Sequence, residues 1–210
     1  MLIDFKSLAS SVVRPIRGVI HVGAHKAEEH VIYKANGIEK TIWIEANPAL
    51  LNEIIRKTIL SPGQSVHLAA AYDRDFDIVT LNIANNGESS SILDLDFHKI
   101  AHPHIHYVAQ VEIPTRRVDS IVLDGGYRAE DFNFMNIDVQ GAELLVLKGS
   151  TSLLRDTIDY VYAEVNEKTL YKDCALMPDL DAFLSTFGFK RAITKMTEYG
   201  WGDAFYVKDI

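Results

Sequence analysis

A chain of 210 residues that is 48% hydrophobic and 24% charged can bury one substantial core, so a single domain is expected over residues 1–210. Its formal charge of −8 argues against holding a phosphate backbone through bulk electrostatics, and no nucleic-acid partner is expected. A lone cysteine, Cys174, excludes an internal disulfide and a cysteine-based zinc cluster; no leader pattern occupies Met1 to Phe5 and no apolar run reaches the roughly 18 residues of a membrane span, so a cytoplasmic protein without a membrane partner is expected.

Residues 1–17, bounded by Arg14-Pro15, read as an N-terminal capping helix. Gly18 to Val22 is an apolar strand that ends in the small-residue turn Gly23-Ala24-His25-Lys26-Ala27-Glu28. A second strand, Lys40 to Glu45, ends in an acid; Pro48 then sits where a helix can begin, and Leu50, Leu51, Ile54 and Ile55 fall at helical spacing. Ser65 to Ala71 reads as a third strand. The stretch 77–114 departs from this rhythm: Ile78 to Ile83 alternates like a strand, Asn85-Asn86-Gly87 punctuates it, and Ser89-Ser90-Ser91 and the histidine-rich His98 to His106 precede Val111-Glu112-Ile113. Such an insertion at the ligand edge of a sheet suits a lid or an acceptor wall.

Strands resume at Phe132 to Asp138 and Ile158 to Glu164, and a final pair, Phe189 to Thr194 and Asp203 to Lys208, flanks Tyr199-Gly200-Trp201-Gly202 as an antiparallel hairpin. Strand patterns alternating with helical ones predict an α/β fold, a doubly wound, mostly parallel sheet with helices on both faces. In such sheets ligands lie beyond the carboxyl ends of the strands, which selects Gly23 to His25, Glu45, Ala70 to Asp73, Asp138 and Glu164.

The first turn has one glycine where a nicotinamide dinucleotide fold needs G-x-G-x-x-G to close on a pyrophosphate. A nicotinamide-dependent oxidoreductase is therefore the weaker alternative, beside a cofactor-binding module without activity. S-adenosylmethionine carries no phosphate, and its site needs close backbone approach at one point. Glu45, ending the second strand, can accept from both ribose hydroxyls.

The segments His21 to Glu28, Ile44-Glu45-Ala46-Asn47-Pro48, Ser89-Ser90-Ser91-Ile92-Leu93, Val118-Asp119-Ser120-Ile121 and Asn136 to Gly149 occur in an order that resembles the FkbM family of S-adenosylmethionine-dependent methyltransferases over about residues 18–170. Family members often carry Asp at the position of His21, Gly at Ala27 and Glu at Gln140. The resemblance implies the seven-stranded, class I (Rossmann-like) methyltransferase sheet and O-methylation of a hydroxyl on a sugar, glycan or small metabolite.

It implies a cofactor site of Gly23, Ala24, His25, Glu28, Glu45, Ala46, Asn47, Ala71, Ser90 and Asp138, with Asp138 and Glu164 catalytic. Asp138, Glu164 and Asn166 are hard oxygen ligands that could hold a divalent cation such as Mg2+, an arrangement similar to that of catechol O-methyltransferases. His98, His102, His104 and His106 lack the i, i+4 helical pairing of zinc enzymes, and one of them is expected to contact the acceptor.

Overall fold

The computed structural model describes residues 1–209, Ala9 by its backbone alone. Its strands are β1 (Gly18–Val22), β2 (Lys40–Glu45), β3 (Gln64–Leu68), β4 (Ala70–Ala71), β5 (Ile78–Ala84), β6 (Tyr107–Arg116), β7 (Phe134–Ile137), β8 (Tyr160–Asn166), β9 (Phe189–Met196) and β10 (Trp201–Lys208). The helices are α1 (His30–Ala35), α2 (Leu51–Thr58), α3 (His98–Ala101), α4 (Val118–Asp124), α5 (Glu143–Lys148), α6 (Thr151–Asp156) and α7 (Met177–Ser185).

Seven strands form one sheet in the order β3-β2-β1-β7-β8-β10-β9. Strands β3, β2, β1, β7 and β8 run parallel, and the β9–β10 hairpin closes the far side antiparallel. Every residue of β1, β7 and β8 is buried, as parallel strands covered on both faces require. Successive residues serve opposite faces. Ile20, Val22, Met135, Ile137, Val161 and Ala163 pack with Val118, Ile121, Val146, Leu147, Leu154 and Leu180 of α4 to α7. Val19, Trp43, Phe134, Tyr160, Tyr162 and Phe205 meet Tyr33 of α1, Ile54 of α2 and the N-terminal Ile3, Phe5 and Leu8.

The chain order reverses direction between β1 and β7, which opens a crevice beyond the carboxyl ends of these two strands. There β1 and β2 were readable to the residue, because each apolar run is bounded by a turn signal on both sides.

Three expectations change. Residues 1–17 hold one 3₁₀ helix, Phe5–Ser10, instead of a longer capping helix. Tertiary partners take the backbone donors a helix would have used: Ile3 N–H donates to the Tyr162 hydroxyl at 3.1 Å, and Val13 and Arg14 N–H to the Tyr160 hydroxyl at 3.0 and 2.7 Å. The strand expected over Ser65 to Ala71 breaks at Ala69, whose N–H donates to the Glu45 carbonyl. Beyond it β4 leaves the main sheet and pairs with β6 in a second, three-stranded sheet ordered β4-β6-β5. Helix α2 starts at Leu51, after a turn in which the Asn47 side chain accepts from Ala49 N–H at 3.0 Å.

Residues 77–114 thus supply β5, β6 and the stretch between them. That stretch is tied down by the bridges Asn82 to Ser91 and Leu95 to Tyr171.

Gly149, at the end of α5, has ordinary negative φ and is needed for space: a Cβ there would lie 1.9 Å from the Tyr72 carbonyl oxygen just after β4. Gly149→Ala is expected to destabilise the protein by about 1–3 kcal/mol, the usual cost of overpacking, read as a lower urea midpoint at unchanged slope.

Candidate active site

A cavity of about 590 Å³ opens at the carboxyl ends of β1, β2, β4, β7 and β8. The first turn forms one wall. Gly23 (φ 84°), His25 (φ 45°) and Ala27 (φ 52°) all adopt the left-handed conformation, in strict alternation. At Gly23 the demand is absolute, since a Cβ would lie 1.7 Å from the Asp138 carbonyl oxygen. His25 and Ala27 hold the same geometry with side chains, at a cost of about 1–2 kcal/mol per residue. The turn is fixed by Gly23 and Ala24 N–H donating to the Ile44 carbonyl at 2.9 and 3.1 Å.

Glu45 ends β2 beneath this turn. Its two oxygens accept from His25 N–H and Asn47 N–H, each at 2.7 Å. Burial pushes its pKa up while these backbone donors pull it down, with burial the larger effect. Each carboxylate oxygen has a second lone pair left for a ligand hydroxyl. Ala24, Ala46, Asn47, Ala70 and Ala71 line the cavity beside it. Glu28 also faces it, with Oε1 3.1 Å from His25 Nδ1 and Oε2 accepting from Lys26 N–H at 3.1 Å.

The opposite wall is acidic. Asp138 follows β7 and Glu164 lies in β8, and the amide nitrogen of Gln140 donates to Asp138 Oδ1 and to Glu164 Oε2, both at 2.8 Å. Asp138 is exposed to the cavity; desolvation by the surrounding wall raises its pKa, with Gln140 opposing and Asp203 reinforcing. Burial and then the neighbouring Asp138 push Glu164 well above the usual carboxylate range. Glu143 braces the turn, its Oε1 accepting from Val139 and Gly141 N–H at 3.2 and 3.0 Å, and burial raises it to about 7.

The 89–91 serines lie on the cavity wall with their hydroxyls engaged. Ser90 donates to the Gly87 carbonyl at 2.8 Å and accepts from Ala84 N–H at 3.0 Å, while Ser91 donates to the Gln140 carbonyl at 2.7 Å. Of the four histidines, His98, His102 and His104 line the cavity and His106 does not. His98 is buried, its Nδ1 has no partner, and burial beside His102 lowers it to about 4.

The metal expectation finds no support in the geometry. Asn166 is fully buried and lies outside the cavity lining. The Gln140 N–H groups occupy the space between the two carboxyls, where a bridging cation would meet donors and not lone pairs. Among the described residues, no group of three His, Cys, Asp or Glu side chains is arranged to hold a metal ion.

Two cavity residues, Asp203 and Trp201, and one residue buried behind the wall, Tyr171, escaped the sequence reading. Asp203 sits opposite Glu164 in the β8–β10 register and accepts from the Tyr162 hydroxyl and Leu2 N–H. It lies on an antiparallel strand, to which the strand-end rule does not apply. Trp201 begins the same strand, and Tyr171, after β8, donates to Gln140 Oε1 at 2.7 Å.

The model of the methyltransferase FkbM domain matches residues 21–191. The chain belongs to the FkbM methyltransferase family. Among solved structures it is similar to magnesium protoporphyrin IX methyltransferase from Synechocystis with bound S-adenosylmethionine, at 10% identity and TM-score 0.50, covering 96% of this chain and 74% of that one. It is also similar to TrmK from M. capricolum in complex with S-adenosylhomocysteine, at 8% identity and TM-score 0.51, covering 100% and 70%. A protein in the NADB-Rossmann superfamily from Streptococcus agalactiae aligns at 11% identity and TM-score 0.53, covering 97% and 66%. At these identities the likeness is one of fold. No curated protein matches the sequence.

The buried acids of this FkbM-family chain make its stability fall with rising pH. Glu143 and Glu164 have folded pKa values above their unfolded ones, so from about pH 4 upward the folded state holds protons the unfolded chain has lost. His21, His30, His67 and His98 are lowered and act oppositely, but only below the unfolded imidazole value of 6.5. Between pH 6.5 and 8 the acids act alone, and urea unfolding is expected to show decreasing stability, at most about 1.4 kcal/mol per pH unit for each proton. Glu164→Gln should flatten that slope; a wild-type stability that rises over this interval would contradict the burial argument.

Proposed function

We propose that this protein transfers a methyl group from S-adenosylmethionine to a hydroxyl of an uncharged sugar, glycan or small metabolite. The observation that carries this reading is one cavity joining the Glu45 carboxylate to the Asp138–Glu164 pair across the Gly23 turn. Gly23 would give the backbone approach a nucleoside cofactor needs, Glu45 would accept from its ribose hydroxyls, and Gly23, Ala24 and His25 would surround the methionine portion with Glu28 reaching its ammonium. Ala46, Asn47 and Ala71 would wall the adenosine, and Ser90 lines the same cavity.

When bound, S-adenosylmethionine supplies a methyl carbon open to displacement, the C–S electron pair leaving with sulfur as the acceptor oxygen forms the new bond. Asp138 takes the proton released by the acceptor hydroxyl, and Glu164 carries the neighbouring proton. Asp138, exposed to the cavity and accepting from Gln140, can be ionised at neutral pH, and its raised pKa makes it a better base than a free carboxylate.

The acceptor class follows from charge. Among the described residues no Lys or Arg lines the cavity, whereas Glu28, Glu29, Glu45, Glu88, Asp138, Glu164 and Asp203 do. Such a wall repels phosphates and speaks against an RNA acceptor as well as against a dinucleotide. The α1 helix begins only at His30, too far along the chain for its first turn to meet a pyrophosphate at Gly23. Cys174 is buried and alone, and among the described residues no helix is long and apolar enough to cross a membrane; both support a cytoplasmic assignment.

Calorimetry is expected to show S-adenosylhomocysteine binding, with no thermal shift from NADH. Glu45→Gln turns an amide nitrogen toward a backbone donor and should weaken that binding by about 10–100-fold. With labelled S-adenosylmethionine and a panel of methyl glycosides, Asp138→Asn is expected to lose transfer and keep cofactor affinity within a few-fold. Binding without transfer to any acceptor would favour a cofactor-binding module, and NADH binding in place of S-adenosylhomocysteine would overturn the reading.

A further inference from the structure

The cavity runs across several strands of the main sheet. Glu45 ends β2 and Trp201 begins β10, four strand spacings away in the order β2-β1-β7-β8-β10, a separation of roughly 19 Å. Gly23 and Asp138 stand between them, just after β1 and β7. A nucleoside held at Glu45, with its methionine arm along the Gly23 turn, would leave the β8–β10 end open for the acceptor.

Trp201 is held at that end by its backbone. Its carbonyl accepts from Thr197 N–H at 2.7 Å and from the Thr197 hydroxyl at 2.8 Å. The next residue has no room for a side chain: a Cβ on Gly202 would lie 2.2 Å from the Lys195 carbonyl oxygen, so β10 is pressed against β9 at this point. The indole packs on the cluster of Leu95, Leu170, Tyr171 and Cys174, yet it is only half-buried and lines the cavity. A large flat ring on a fixed backbone loses little conformational freedom when a ligand settles on it.

Alternation puts Trp201 and Asp203 on one face of β10, about 7 Å apart along the strand, and the register sets Asp203 opposite Glu164. That spacing is comparable to the width of one six-membered sugar ring. We propose that Trp201 is the acceptor platform of this cavity: a pyranose rests the C–H face of its ring on the indole and turns one hydroxyl toward the wall of Asp138, Glu164 and Asp203. This rests on the methyl-transfer reading, and it names the part of the acceptor that the protein recognises.

An aromatic surface alone would also suit a flat phenol. The surroundings favour the sugar. The three carboxyls and the rings of His98 and His102 share this cavity, and a pyranoside carries hydroxyls around its whole edge to meet them, whereas a phenol brings one or two. His102 also packs on Tyr199, two residues before Trp201, with ring centroids 4.7 Å apart, so the α3 segment and the β9–β10 turn meet beside the platform.

Fluorescence of the full-length protein reads the platform directly. The chain has two tryptophans, and the other, Trp43, is fully buried with its Nε1–H donating to Gln64 at 2.8 Å. Methyl glucoside, methyl galactoside and methyl mannoside are titrated with and without S-adenosylhomocysteine, beside sorbitol, which has the hydroxyls without the ring, and catechol. At least one glycoside is expected to shift the emission saturably, and sorbitol is expected to leave it unchanged. Saturation-transfer NMR of that glycoside should place the strongest signals on its ring C–H protons. Trp201→Ala is expected to weaken glycoside binding by about ten-fold. S-adenosylhomocysteine affinity in the same variant should stay within about two-fold of wild type, as suits a distant site and as a collapsed hairpin would not allow. Trp201→Phe keeps a smaller ring in the same packing and should lose part of the glycoside affinity; it decides the matter if the alanine variant does not fold. No response to any of the glycosides, a response to catechol alone, or glycoside binding unchanged in both variants would overturn the proposal. A glycoside response without S-adenosylhomocysteine binding would overturn the methyltransferase reading and leave the platform standing.

Discussion

Burying a carboxyl group is costly unless donors are aimed at it, and the ligand end of this sheet buries four. Glu45, Glu143, Glu164 and Asp203 meet this demand with three devices: paired backbone N–H groups for Glu45 and Glu143, the Gln140 amide, shared with the exposed Asp138, for Glu164, and a tyrosine hydroxyl with a backbone N–H for Asp203. Much of the local architecture follows. The left-handed bend at His25 aims its N–H at Glu45, the turn after β7 folds back so that Val139 and Gly141 reach Glu143, and Tyr162 rises from β8 to Asp203. Packing and the cavity are joined here, because the donors that make burial tolerable also fix where the carboxyls stand in its wall.

The first turn shows a second constraint, that of backbone contact. Gly23 lies against the Asp138 carbonyl, so the loop after β1 and the loop after β7 are in van der Waals contact where their strands separate. This contact brings the Glu45 side and the Asp138 side of the cavity together. Sequence alone suggested that the missing glycines mark a missing pyrophosphate. In the structure the alternation persists in the backbone at Gly23, His25 and Ala27, with only the first position sterically obliged to be glycine. The loop therefore keeps a glycine-rich shape without glycine-rich sequence, at a cost in strain that its anchors to Ile44 and Glu45 offset.

What was legible in the sequence was what depends on local order. The strands β1 and β2, Glu45 at a strand end, and the Asp138 to Glu143 turn all express periodicity or turn chemistry within a few residues. Contacts between distant segments were not legible. Nothing near Tyr171 announces that its hydroxyl will meet Gln140, and Asp203 reaches the cavity because β10 runs antiparallel beside β8, a fact of topology. Ala69 is one alanine among three, and only the departure of β4 toward β6 makes it a break. The metal set finds no support for a related reason: alternation puts Glu164 and Asn166 on one face, but Asn166, two residues further toward the carboxyl end of β8, is buried outside the cavity lining.

The acid wall and the histidine wall face one cavity, and their chemistry is complementary. The inner wall carries negative charge and accepts protons, whereas His98 is held neutral by burial, and a neutral imidazole can both donate and accept hydrogen bonds. His102 packs between His98 and Tyr199, ring centroids 4.9 and 4.7 Å apart and tilted by 52° and 53°, which makes that side aromatic. Under the function proposed above, a cavity with hydrogen-bonding rings on one side, carboxyls on the other and no lysine or arginine among its described lining residues suits a hydroxylated acceptor without an anionic group. A phosphate would meet Glu164 and Asp203 against one nearby ammonium, that of Met1, itself 3.8 Å from Glu29, while a neutral hydroxyl would donate to Asp138. On that reading discrimination against anions comes from the same carboxyls that serve the chemistry, so a substitution that relaxed the one would weaken the other.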